Sequence, residues 1–115
     1  MKKFLLSFTY AWKGLRYAFG TQLNFKVHSF FALLALLLGY LLKLNTGEWL
    51  WIFFAIGIVL IAELFNTALE VLVDLVSPGY NTKAGIVKDV AAAAVLLTTF
   101  LAVIIGLMVF VPKLL

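Results

Sequence analysis

The chain has 115 residues, of which 65% are apolar and only 12% are charged, and its mean hydropathy is +1.14. A soluble domain carries about 25% charged residues, so this composition excludes a soluble protein and predicts a small, single-domain integral membrane protein. Nine basic residues against five acidic ones give a net charge of +4, which we interpret as membrane topology rather than nucleic-acid binding. With no cysteine and one histidine, the chain offers no disulfide and no cysteine- or histidine-rich metal site.

Residues 1–20 are predicted to form an amphipathic helix that lies in the membrane interface. Large apolar residues recur there at helical spacing, namely Phe4, Phe8, Trp12, Leu15 and Phe19. Basic residues lie off that stripe, namely Lys2, Lys3, Lys13 and Arg16. An apolar stripe opposed by basic residues is typical of a helix that lies flat on the bilayer. Gly20 is expected to end this helix.

Three apolar segments follow, and we predict membrane spans at residues 23–43, 49–76 and 86–111. About 20 residues of helix cover the roughly 30 Å hydrocarbon thickness of a bilayer, so each segment is long enough. A polar turn separates the first two spans, and Ser77-Pro78-Gly79 is expected to end the second one, which extends beyond the membrane. Pro112 is expected to end the third.

The basic residues indicate the orientation of these spans. Two of the nine, Lys43 and Lys113, fall on one side of the membrane. The other seven fall on the opposite side, namely Lys2, Lys3, Lys13, Arg16, Lys26, Lys83 and Lys88. Because basic residues concentrate on the cytoplasmic side, we expect a plasma-membrane protein with a cytoplasmic N-terminus and a C-terminus outside.

The segment Glu63–Asp74 carries a polar stripe at the end of an uncharged apolar run. Its polar residues are spaced i, i+3, i+4, i+7 and i+11, namely Glu63, Asn66, Thr67, Glu70 and Asp74. That spacing places all of them on one face of a helix. A carboxylate at membrane depth costs about 2.5–3.5 kcal/mol even on the lenient insertion scale, so the stripe predicts a functional site.

Depth separates the carboxylates of this stripe. Counted from Trp49, Glu63 lies roughly 21 Å along the helix and Glu70 roughly 31 Å, against a hydrocarbon core about 30 Å thick. Glu63 is therefore expected inside the cytoplasmic leaflet, whereas Glu70 and Asp74 are expected among headgroups and water. That arrangement suits a reaction between a membrane-bound hydroxyl and a water-soluble charged donor, with one carboxylate as base and another holding Mg²⁺.

The same residues carry a resemblance to a known family. ELFNTALEVLVD, followed by KDVAAAAVLL and preceded by YAWKGLRYAF and TQLNFKVH, resembles the small prokaryotic diacylglycerol kinases, which include the undecaprenol kinases. The resemblance extends from about Phe8 to Lys113. It implies an interfacial helix, three transmembrane helices and a homotrimer whose subunits share their active sites. It also implies Mg-ATP-dependent phosphorylation of a lipid hydroxyl, with diacylglycerol and undecaprenol both open as acceptors and the sequence leaning slightly toward undecaprenol.

The resemblance also assigns roles to residues. Glu63 becomes the catalytic base, Asn66 positions the reacting groups, and Glu70 binds the metal. The nucleotide site is then expected from a further set, namely Tyr10, Asp74, Gly79, Tyr80, Asn81, Lys88 and Asp89. Gln22 departs from the family, in which glutamate is often the second metal-binding carboxylate, and an amide is a poorer Mg²⁺ ligand. The metal is then held mainly by Glu70 and ATP oxygens, or Asp74 or Asp89 compensates.

Other interpretations stand beside these assignments. Glu63 alone fits a protonated structural carboxyl, and Asn66 and Thr67 fit hydrogen bonds between helices. Lys88 and Asp89 fit an interface anchor and a helix-dipole acid. We interpret His28 as an interfacial polar residue without a metal role. A proton-coupled transporter and a structural membrane subunit are the alternative functions, although the apolar outer halves of the spans argue against a path through the membrane.

Overall fold

The computed structural model describes all residues from Met1 to Leu115, and they form four α-helices and no strand. These helices are α1 (Lys2–Thr21), α2 (Leu23–Leu41), α3 (Thr46–Val76) and α4 (Thr82–Leu114). The last three are each long and apolar enough to cross a membrane. The predicted fold class, an amphipathic helix followed by three membrane-spanning helices, is therefore confirmed.

The junction between α1 and α2 lies later than the sequence predicted. α1 continues through Gly20 to Thr21, and the chain changes direction at Gln22, whose φ of −110° and ψ of 110° are extended. A glycine inside a helix costs about 1 kcal/mol relative to alanine, which weakens the helix without ending it. Gln22, rather than Gly20, therefore marks the break between the two helices.

The last helix, α4, is longer than predicted at both ends. It begins at Thr82, where the side-chain Oδ1 of Asn81 accepts hydrogen bonds from the backbone N–H groups of Lys83 and Ala84 at 2.9 and 3.2 Å. It also continues through Pro112 to Leu114, so the prediction that Pro112 ends the helix was wrong. Pro112 lies in the last turn, where the missing proline N–H removes a single donor, and Leu115 N still donates to the carbonyl of Val111 at 3.1 Å.

The tight turn between α2 and α3 closes with two backbone hydrogen bonds. Leu44 N donates to Gly39 O at 3.2 Å and Lys43 N donates to Tyr40 O at 3.3 Å, while Lys43 adopts a left-handed φ of 56°. This is the Schellman pattern, which normally places glycine at the left-handed position. Gly39 is buried, and a Cβ atom there would lie 2.8 Å from the Trp49 ring. A small residue at Gly39 therefore lets α3 turn back closely along α2.

The packing is centred on α3. α3 and α4 pack along much of their length, and the main apolar cluster joins them to the turn through Leu44, Ile52, Ala55, Ile105 and Val109. α2 packs on another side of α3, and α1 touches α2 and α3. The four helices of one chain form a layer only 20 Å thick along its shortest axis, which is about two helix diameters. One chain is therefore a thin layer of helices that leaves most of its large apolar side chains exposed.

Two ion pairs connect α3 and α4, one at each end of the bundle. Where α2 turns into α3, which we name the turn end, Lys113 Nζ lies 3.0 Å from Glu48 Oε1. At the opposite end, where residues 77–81 join α3 to α4 and which we name the loop end, Lys88 Nζ lies 2.7 Å from Asp74 Oδ1. α2 runs from Leu23 to Leu41 and finishes at the turn end, so the α1–α2 junction also lies at the loop end.

Candidate active site

The first three residues of the polar stripe of α3 face the interior of the protein. Glu63, Asn66 and Thr67 are 1%, 7% and 5% exposed, and they are the only buried polar or charged side chains among the fifteen buried residues. Burying a carboxyl group and a carboxamide in a bundle with so small a core is unfavourable unless they have partners. Three buried polar side chains on one face of α3 therefore indicate a functional site rather than ordinary core packing.

Two hydrogen bonds organise the stripe along α3. The hydroxyl of Thr67 donates to the backbone carbonyl of Glu63 at 2.9 Å, so this hydroxyl is satisfied within its own helix. The Nδ2 of Asn66 donates to Glu70 Oε1 at 3.2 Å. The carboxamide of Asn66 therefore holds the half-buried carboxylate of Glu70, while its own Oδ1 is buried without a hydrogen-bond partner.

Glu63 faces a residue from a different helix. The Nε2 of His28, on α2, lies 3.4 Å from Glu63 Oε1, and this oxygen has no hydrogen-bond partner. The spacing of polar residues within α3 does not relate His28 to this site. The lengths of α2 and α3 could have predicted this contact. The distance along α2 from Leu41 to His28 and the distance along α3 from Trp49 to Glu63 are both roughly 20 Å, each counted from the turn that joins the helices. Two antiparallel helices joined by a tight turn bring residues at equal distances from it to the same depth.

The exposed part of the site lies at the loop end. The Asp74 and Lys88 side chains are 67% and 41% exposed, and their 2.7 Å contact spans the connection between α3 and α4. Asp89 follows Lys88 and is exposed. The Asp74 carboxylate and the Lys88 ammonium are therefore both accessible to a dissolved ligand at this end.

Other predicted nucleotide residues do not join this group within one chain. Tyr10 on α1 and Tyr80 in the connection are 61% and 98% exposed, and neither forms a side-chain hydrogen bond with the stripe. The ammonium of Lys13 lies 5.8 Å from the ring centroid of Tyr10. Gly79 is exposed, and the carboxamide of Asn81 caps α4. Within one chain, none of these side chains forms a hydrogen bond with the stripe.

The oxygen donors of the stripe fit a metal that arrives with its own ligands. The chain contains no group of three or more His, Asp or Glu side chains that could hold a metal ion. The Nε2 of Gln22 donates to the Thr21 hydroxyl at 3.4 Å, and Gln22 forms no hydrogen bond with the stripe. Mg²⁺ typically takes one or two carboxylates and completes its shell with phosphate oxygens and water. The carboxylate of Glu70, oriented by Asn66, matches that requirement.

An apolar groove begins beside the buried carboxylate. It has a volume of about 410 Å³, lies between α2, α3 and α4, and is lined by fifteen residues of which twelve are hydrophobic. His28 and Thr99 are among its few polar lining residues, and the groove extends toward the turn end as far as Ile52 and Phe110. The groove therefore reaches the polar stripe through His28, whose Nε2 lies 3.4 Å from Glu63 Oε1.

The fold and this geometry together define a class of protein: a small helical membrane protein with a buried carboxylate at the boundary between an apolar groove and a charged aqueous surface. The sequence profile of the family described as prokaryotic diacylglycerol kinase matches residues 9–110 of this chain. The chain belongs to the prokaryotic diacylglycerol kinase family. The resemblance identified from the motifs is thereby confirmed.

Individual relatives are named for two lipid substrates. The chain is 45% identical to a diacylglycerol kinase of Synechocystis sp. over 112 residues. That alignment covers 96% of this chain and 64% of the relative. It is 39% identical over 114 residues to an undecaprenol kinase of Bacillus subtilis, covering 99% and 93%. It is 33% identical over 95 residues to a diacylglycerol kinase of Escherichia coli, covering 83% and 78%. The chain thus spans slightly less than two thirds of the Synechocystis relative and most of the other two.

Proposed function

We propose that this protein is a lipid kinase that transfers the γ-phosphoryl group of ATP to the primary hydroxyl of a membrane lipid alcohol. The observation that carries the proposal is the buried carboxylate of Glu63, which has an oxygen without a hydrogen-bond partner. It lies on a helix that continues to half-buried Glu70 and exposed Asp74. The lipid hydroxyl requires a base at lipid depth, and the Mg²⁺ that accompanies ATP requires a carboxylate in water.

In the proposed reaction, Glu63 accepts the proton of the lipid hydroxyl as the hydroxyl oxygen attacks the γ-phosphorus. The new P–O bond forms while the bond from the γ-phosphorus to the β,γ-bridging oxygen breaks, so ADP leaves and the proton remains on Glu63 until it is released to water. Phosphoryl transfer depends mainly on positioning and on charge stabilisation. The protein's task is therefore to hold the hydroxyl next to Glu63 and to exclude water from it.

We propose that Glu70 holds the Mg²⁺ that accompanies ATP, with Asn66 fixing the orientation of that carboxylate. When bound, the metal neutralises charge on the phosphates. Lys88 supplies a cation at the same end of the bundle, and its 2.7 Å pairing with Asp74 keeps it near the stripe. We assign Asp89 to the nucleotide site with these two residues, and Gln22 at most a minor part in metal binding.

The remaining nucleotide contacts are proposed to form between subunits of a homotrimer. Three facts support an oligomer: the layer is 20 Å thick, most of its large apolar side chains are exposed, and Tyr10 and Tyr80 form no hydrogen bond with the stripe within one chain. In an assembly, the Tyr10 face of one subunit and the Gly79–Asn81 segment of another are free to close over the nucleotide. The number three rests on the family resemblance.

We propose that the protein lies in the plasma membrane with the loop end in the cytoplasm, where ATP is available, and the C-terminus outside the cell. The seven basic residues assigned to that side support it. The groove beside Glu63 is proposed to hold the hydrocarbon tail of the acceptor. The names of the relatives support both undecaprenol and diacylglycerol as acceptors.

A transfer assay tests this function directly. Purified protein in bilayers receives Mg²⁺ and ATP labelled at the γ-phosphate, with undecaprenol, diacylglycerol or no added alcohol in parallel samples. Label that appears in the lipid fraction only when an alcohol is present supports the proposal, and the ratio of the two rates identifies the acceptor. A folded protein that labels neither lipid would refute the proposal.

A further inference from the structure

Glu63 needs a fixed orientation if one of its oxygens is to accept a proton, and its own helix does not provide it. The Thr67 hydroxyl donates to the backbone carbonyl of Glu63 and the Asn66 amide donates to Glu70, so the nearest polar groups on α3 are committed elsewhere. The carboxyl group is 1% exposed and its Oε1 has no hydrogen-bond partner. A buried carboxylate oxygen without a donor costs free energy, so a donor from another helix is expected.

His28 is placed to be that donor. Its Nε2 lies 3.4 Å from Glu63 Oε1, and its side chain is one-fifth exposed, so water competes little for the imidazole. A separation of 3.4 Å is slightly longer than a good N–H···O bond, which falls at 2.7–3.2 Å. Catalytic hydrogen bonds are often long before substrate binds and shorten in the productive complex. A small rotation of either side chain closes the gap.

We propose that His28 is the positioning residue of Glu63: the imidazole Nε2–H donates to Oε1 and leaves the other carboxylate oxygen to face the lipid hydroxyl. This inference rests on the proposed function of Glu63 as the base. The Nε2 proton is present both in the protonated imidazole and in one neutral tautomer, so the contact does not depend on the charge of His28. His28 also lines the apolar groove, so it lies where the lipid enters the site.

Kinetics separate a positioning role from a structural one. His28→Leu removes the donor at similar size, and we expect kcat to fall about 10- to 100-fold, the usual effect of losing an outer partner that orients a reacting group. The KM for ATP is expected to stay unchanged, because the nucleotide is proposed to bind at the loop end, away from His28. His28→Gln keeps an N–H donor at about the same reach and is expected to recover most of kcat. Phe30→Leu is the matched control, since Phe30 is on the same helix and exposed.

A double variant tests whether His28 acts through Glu63. If it does, adding His28→Leu to Glu63→Gln lowers the residual rate no further, because the group that His28 positions is already inactive. Losses that multiply in the double variant would show that His28 acts independently and would overturn the proposal. Equal losses from His28→Leu and His28→Gln would overturn it as well.

Spectroscopy gives a readout that does not require activity. His28 is the only histidine in the chain, so protein labelled with ¹⁵N in its imidazole gives NMR signals from this ring alone. We expect the Nε2 resonance to move in Glu63→Gln, whose amide replaces the carboxylate acceptor, and to stay in place in Phe65→Leu on the exposed side of α3. An Nε2 resonance unaffected by Glu63→Gln would overturn the proposal. A wild-type protein that phosphorylates no lipid alcohol would instead refute the proposed function, so the two failures are distinguishable.

Discussion

Replacing Glu63 by glutamine changes one oxygen of the carboxyl group to nitrogen and leaves the shape of the side chain almost intact. The structure predicts little effect on folding, because Oε1 of Glu63 accepts no hydrogen bond that the change would remove. A neutral amide is also less costly than a carboxylate in a site that is 1% exposed. The amide oxygen remains able to accept a hydrogen bond from His28.

The effect on catalysis should be large. A positioned general base contributes about 10²- to 10⁴-fold, so kcat is expected to fall by that factor, which corresponds to about 3–5 kcal/mol at 1.36 kcal/mol per tenfold change. Labelled phosphate transferred from ATP to the lipid alcohol measures kcat. The KM for ATP should not change, since the nucleotide is proposed to bind at the loop end.

Phe65→Leu is the matched control for this experiment, because Phe65 lies on α3 two residues beyond Glu63 with a side chain that is 68% exposed. Its kcat should stay close to that of the wild type, and thermal unfolding should show that both variants fold. A Glu63→Gln protein with normal kcat would refute the assignment of Glu63 as the base. A loss of ATP affinity with unchanged kcat would refute the separation of the two substrates along α3.

Three further predictions test other parts of the structure. Gly106 lines the groove, and a Cβ added there meets no atom within 4 Å, so Gly106→Leu fits and fills the groove. It should lower kcat/KM for the lipid about tenfold, because it displaces roughly two tail methylenes worth about 0.8 kcal/mol each. Gly57→Leu is the control: its Cβ is equally free of contacts but lies outside the groove, so kcat/KM should not change. Asn66→Ala removes the hydrogen bond to Glu70 and should raise the Mg²⁺ needed for half-maximal turnover about 10- to 100-fold, measured by metal titration; an unchanged requirement would contradict this metal assignment. Lys43→Gly relieves the left-handed backbone at φ 56° and should raise the free energy of unfolding by about 1 kcal/mol in detergent, whereas a decrease would show that the Lys43 side chain matters more than its backbone.

The membrane spans could be predicted from the sequence because each is a long apolar run, whereas their ends depend on a few local bonds. Pro112 was expected to end α4, yet one backbone bond from Leu115 to Val111 carries the helix past it. Gly20 was expected to end α1, yet only Gln22 adopts an extended conformation. Proline and glycine change the cost of a helical residue by a few kcal/mol at most, and neighbouring bonds decide whether that cost ends the helix.

The candidate site divides in the same way. The stripe of Glu63, Asn66 and Glu70 could be read from its spacing because helical periodicity fixes which residues share a face. His28 was missed because its contact with Glu63 joins two helices, and it follows only from equal helix lengths measured back to a shared turn. The roles of Tyr10 and of residues 79–81 rest on the family resemblance alone, because no helical periodicity relates them to the stripe.

We propose that the polar edge of α3 passes from lipid into cytoplasmic water, and chemical labelling tests this placement most directly. The chain has no cysteine, so single cysteines introduced at Leu75 and Leu115, which are 78% and 99% exposed, can be labelled without background. In sealed, inside-out membrane vesicles, a membrane-impermeant thiol reagent should modify Leu75→Cys and spare Leu115→Cys. Modification of Leu115→Cys alone would place the carboxylates on the side that lacks ATP and would contradict the proposed orientation.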